Sequence, residues 1–175
     1  MNKLILLISI VAIMSFTSEN RQLQTDNSLH EKTIEKKEPY TIKFQVNKLK
    51  SNAYNLSIDM ELEEGAHYVS PNSKGNYTGI FTMILEENKE VQMSGNFSES
   101  PKSEESADPW SGNPINFVRE DTTHKQQFMV STANDFEVSG YIQFTIEPRC
   151  TLEKVYFKIL QKSGVLHIQK LTAKK

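Results

Sequence analysis

Residues 54–62 read YNLSIDMEL: Tyr54, Leu56, Ile58, Met60 and Leu62 are apolar, and Asn55, Ser57, Asp59 and Glu61 between them are polar. Alternation this strict sets one face of an extended strand against a core and the other against water, because successive side chains leave opposite sides of the pleat. The segment upstream repeats it, with Tyr40, Ile42, Phe44 and Val46 alternating with Thr41, Lys43, Gln45 and Asn47. Less regular copies follow at 80–85, 91–97, 115–118, 127–132, 138–146, 155–160 and 165–171. Turn-forming clusters separate them: Ser70-Pro71-Asn72 with Gly75, Glu87-Asn88, Asn134-Asp135 and Lys162-Ser163-Gly164. About nine short strands punctuated by turns, with no helical period beyond the N-terminal run, predict an all-β fold, an immunoglobulin-like antiparallel β-sandwich over residues 39–175.

Working outward to the N-terminus, Lys3 precedes an unbroken run of apolar and small residues, LILLISIVAIMSF at 4–16. As a helix, thirteen residues would reach roughly 20 Å, short of the ~30 Å hydrocarbon core. The run gives way at once to polar residues without a basic stop-transfer cluster, so 1–18 reads as a secretory signal peptide. The alternative is a short uncleaved anchor. No cysteine directly follows the run, which leaves no thiol to acylate. Residues 19–38 are polar and mixed in charge, with too few apolar side chains to offset ordering entropy, and read as a flexible tether. The expected product is an exported protein, periplasmic or extracellular, with no membrane span once the leader is cleaved.

The formal net charge is −2, and losing Lys3 with the leader makes it −3. That balance argues against nucleic acid as a partner, since phosphate backbones are gripped by clustered Lys and Arg. The mature length of about 150 residues buries a sizeable core without disulfides. Cys150 is the only cysteine and has no partner inside the chain.

Few constellations carry chemistry. His30, His67, His124 and His167 lie far apart, none spaced with an acid or thiol as a metal site requires, so no metal is expected. There is no phosphate-binding glycine loop and no glycine cluster beside Cys150 to form an oxyanion hole. No cofactor is expected, and no complete catalytic set is present. Cys150 follows Glu147-Pro148-Arg149 and precedes the next strand, so it belongs in a turn. Arg149 favours a thiolate there, while Glu147 and Glu153 oppose it. Residues 98–113, SESPKSEESADPWSGN, form an acidic loop that holds the only tryptophan, Trp110. Either Trp110 packs back on the sandwich and pins a solvated connection, or the loop is a cap or partner-binding element.

One ordered set of motifs goes further. Glu64-Gly65-Ala66-His67-Tyr68-Val69-Ser70-Pro71 is followed by Gly79-Ile80-Phe81-Thr82 and then Asp108-Pro109-Trp110 with Asn116-Phe117. Gln126-Gln127-Phe128 comes next, and Val138-Ser139-Gly140-Tyr141-Ile142-Gln143-Phe144 runs on to Cys150. In this order they resemble the N-terminal domain of the thiol–disulfide interchange protein DsbD, in its Bacteroidetes-type form, over residues 40–172. The resemblance implies an immunoglobulin-like sandwich and two cysteines that relay electrons from a thioredoxin-like domain to partners through mixed disulfides. Cys150 falls on the second of those cysteines. The first falls near Thr145, where there is no thiol, and the usual Pro-Pro after the second is Thr151-Leu152. A lone thiol can form a mixed disulfide but cannot resolve it, so the relay is expected to be lost.

The resulting expectation is an exported binding or accessory domain. Its candidate redox residue is Cys150, its candidate partner-binding residues are Arg149, Trp110 and His67, and its partner is a thioredoxin-like or other envelope protein. The alternatives are a one-cysteine exchange participant and a cell-envelope structural or adhesion module.

Overall fold

The computed structural model describes residues 37–172, so the leader and all but the last two residues of the tether lie outside it. Eleven strands appear: β1 Tyr40–Lys50, β2 Ala53–Leu62, β3 Tyr68–Val69, β4 Thr82–Leu85, β5 Val91–Ser100, β6 Glu104–Ala107, β7 Pro114–Val118, β8 Thr122–Val130, β9 Phe136–Ile146, β10 Thr151–Lys162 and β11 Val165–Lys170. They form two four-stranded antiparallel sheets, β1-β2-β8-β5 and β11-β10-β9-β4, and a three-stranded sheet β3-β7-β6. The described chain is an immunoglobulin-like β-sandwich, its connections crossing between the large sheets at β4–β5 and β8–β9.

The alternation in β2 is what closes the sandwich. Leu56, Ile58 and Met60 are at most 1 % exposed and face Ile142, Phe144, Phe157 and Ile159 of the opposite sheet in one apolar cluster. Rings knit the faces together: Tyr40 meets Phe144 edge-on with centroids 4.9 Å apart, and Phe44 lies 5.2 Å from Phe157. Gly95, at φ +71°, sits where the β5–β8 register shifts, and the resulting bulge breaks up an otherwise open edge strand.

The strand count is eleven rather than nine. The additions, β3 and β6, flank β7 in the third sheet. β3 is two residues long, too short for a periodic signal, and all four side chains of β6 are exposed, so neither carries a core-facing alternation. Residues 98–113 are therefore not one long loop: they hold the end of β5, all of β6 and a tight turn at 108–113.

Candidate binding groove

His67 and Trp110, far apart in sequence, come to the same groove. His67 is clamped to the end of β9, its N–H donating to the Glu147 carbonyl at 3.1 Å and its carbonyl accepting from the Glu147 N–H at 2.9 Å. Its ring stands edge-on to Phe117 with centroids 5.3 Å apart. The turn after β6 is closed by bonds between Asp108 N–H and the Asn113 carbonyl and between Gly112 N–H and the Asp108 carbonyl, both at 2.8 Å. The Asp108 carboxylate also accepts from the Ser111 hydroxyl and, at 2.8 Å, from the Ser111 N–H. The Ser111 bonds hold that carboxyl below its ordinary range.

This turn leaves Trp110 95 % exposed, so the indole does not pack back on the sandwich. The groove beside it measures about 370 Å³, with Ile115 and Phe117 of β7, Thr145 of β9 and Pro148 among its lining. Because Trp110 contributes almost no burial, Trp110→Ala is expected to leave folding stability within about 0.5 kcal/mol. A urea titration checks this; a larger loss would mean that the indole packs in solution.

Gly79 supports the groove at Thr145. Its φ is +79°, its carbonyl accepts from the Thr145 N–H at 2.9 Å, and a Cβ there would fall 2.0 Å from Thr145 Oγ1. Backbone strain and overpacking together make Gly79→Ala about 2 kcal/mol destabilising. An unchanged urea midpoint would contradict that close approach.

Cys150 lies in the turn between β9 and β10, exposed, at φ 52°. Arg149 beside it has partners of its own. Its guanidinium is spread over Glu38 at 2.7 Å, Glu153 at 2.5 Å and Thr151 Oγ1 at 2.8 Å, and so is committed to carboxylates. Neither Cys150 nor Arg149 lines the groove, although Glu147 and Pro148 just before them do.

Sequence reasoning missed a buried polar cluster behind the small sheet. His124 of β8 is fully buried, its Nε2 bonded to the Tyr68 hydroxyl at 2.5 Å and its ring stacked 4.4 Å from Phe81. Nδ1 has no hydrogen-bond partner among the described residues and lies 3.8 Å from Oε1 of Glu99, whose side chain is 3 % exposed. Glu99 accepts bonds from the Ser70 hydroxyl and, at 2.7 Å, from the Ser103 hydroxyl, which ties the ends of β3 and β6 to β5. A neutral imidazole with its hydrogen on Nδ1 suits both neighbours, with the Tyr68 hydroxyl donating to Nε2 and the N–H facing the acid. Burial lowers the His124 pKa to about 4 against the pull of Glu99, and burial holds the Tyr68 hydroxyl protonated.

Among the described residues no group of three or more His, Cys, Asp or Glu could hold a metal, and no helix is long and apolar enough to cross a membrane. No family model matches the chain, and no curated protein matches it. Among solved structures, the GAE domain of GGA2p from Saccharomyces cerevisiae is similar at 9 % identity, over 77 % of this chain and 90 % of that one, with a TM-score of 0.38. At that score the likeness carries no weight for fold or function.

Proposed function

We propose that the chain is an exported binding domain that docks a partner in the groove beneath Trp110. The observation that carries this reading is an indole 95 % exposed beside an apolar-floored cleft. Tryptophan is enriched among the few residues that carry most of the binding energy of protein interfaces. The ordered resemblance to the interchange-protein domain supports the same reading and suggests a thioredoxin-like or other envelope protein as partner. The missing thiol at Thr145 argues that the relay itself is gone.

The test places a photo-reactive tryptophan analogue, which keeps the indole, at position 110 and, as a control, at Leu49, another exposed apolar position. Cross-linking in the envelope should occur at 110 alone, and unlabelled domain should compete it where the Trp110→Ala domain does not. Equal cross-linking at both positions would defeat the reading.

A second reading, single-thiol exchange, is favoured by one observation: Cys150 is exposed two residues from the groove wall at Pro148. Its alkylation rate against pH decides it. A midpoint well below the ordinary thiol value of about 8.5, with a trapped mixed disulfide, supports exchange. Slow, unselective alkylation at neutral pH eliminates it.

A further inference from the structure

The charge of the groove goes further than its shape. Four aromatic residues, Tyr68, Tyr77, Trp110 and Phe117, line it beside His67, and among the described residues its only acids or bases of fixed charge are Asp108 and Glu147. Among the described residues neither a lysine nor an arginine lines it. Aromatic faces carry negative charge at their centres and attract cations, more strongly as water is excluded. One of these rings is already so engaged, the Arg119 guanidinium sitting 4.8 Å from the centre of Phe117, which leaves Trp110 and Tyr77 for a further cation.

We infer that the groove takes an extended segment of a partner polypeptide that presents a lysine or arginine, with the cation set between the rings and the two carboxylates. This rests on the docking role proposed above and names the chemistry of the occupant. The volume of about 370 Å³ is more than a single ammonium group fills, and the apolar lining calls for carbon around the charge. A lysine or arginine within a chain supplies both, since its stem covers apolar surface while its head stays charged. Aromatic-lined grooves commonly receive extended, proline-containing segments.

The chain carries its own reporter, because Trp110 is its only tryptophan. Emission of the full chain is followed while adding N-acetyl-Ala-Pro-Lys-Pro-Ala-amide, the same peptide with norleucine for lysine, the same peptide with glutamate, or tetramethylammonium. The lysine peptide should shift the emission saturably, with the norleucine and glutamate peptides about tenfold weaker or worse and the free cation weaker still. Glu147→Gln should weaken the lysine peptide several-fold and leave the norleucine peptide unchanged. Asp108→Asn should act the same way, although Asp108 also holds its own turn, so Glu147→Gln is the cleaner variant.

Equal binding of the lysine and norleucine peptides overturns the inference, and so does no shift with lysine at millimolar concentration. Tetramethylammonium matching the lysine peptide overturns the choice of a polypeptide segment. If cross-linking at position 110 persists through any of these results, the docking role stands and only the cationic occupant falls. If that cross-linking is absent too, both fall.

Discussion

Phe144→Ala is expected to destabilise the domain by about 3–5 kcal/mol, the range for emptying a buried phenylalanine site that cannot collapse. Phe144 on β9 is fully buried. Its ring lies 4.9 Å from Tyr40 of the opposite large sheet, 5.5 Å from Tyr68 of the small sheet and 5.8 Å from Phe81, centroid to centroid. It thus stands where the three sheets meet, packed against rings from the other two. Total stabilities of domains this size run about 5–15 kcal/mol, so the variant should show a large fall in urea midpoint or fail to fold. Phe144→Leu keeps most of the volume and should cost far less. A fall below about 1 kcal/mol for the alanine variant would mean that the sheets do not close on this ring.

Acid should weaken the fold through His124, by about 3 kcal/mol at most between pH 6.5 and pH 4. Burial lowers the native pKa of His124 from 6.5 to about 4. Above pH 6.5 the imidazole is neutral in both states, and the buried neutral form carries no penalty. As pH falls through 6.5 the unfolded chain takes up a proton that the folded chain refuses, so stability declines. The decline ends near pH 4, where the folded state is protonated as well. Unfolding midpoints in urea, measured at steps of pH, read this slope. His124→Gln keeps a hydrogen-bonding partner for Tyr68 but cannot titrate, so its slope over the same window should be flatter whatever it costs in absolute stability. An unchanged slope would place the acid sensitivity elsewhere.

The alternation in 54–62 places Leu56, Ile58 and Met60 in the core directly, and the repeated period with its turns leads to two antiparallel sheets. β8 shows how the same rule hides. It begins at Thr122, five residues earlier than the apolar pattern suggested, and its inward positions are Thr122, His124, the half-buried Gln126, Phe128 and Val130. The period of two is intact. Two of its buried positions are polar: Thr122, whose hydroxyl donates to the nearby Glu120 carbonyl, and His124, whose Nε2 is bonded to the Tyr68 hydroxyl. A pattern read by hydrophobicity cannot see such positions, since polar residues are buried there only because a hydrogen bond meets them, and for His124 that bond comes from a distant strand.

Period two, turn residues and residue counts are local properties, and from them come the fold class, most of the strands and the isolation of the single thiol. Packing between elements settles that Trp110 faces solvent, that Arg149 is held by Glu38 and Glu153, and that His67, Trp110 and Glu147 share one groove. The hold of Glu38 on Arg149 joins positions 111 residues apart, and the groove is set by how β3, β7 and β9 are brought together, so no window along the sequence contains either. The Trp110 turn is closed by local bonds, yet whether its indole meets the sandwich depends on where the small sheet places that turn.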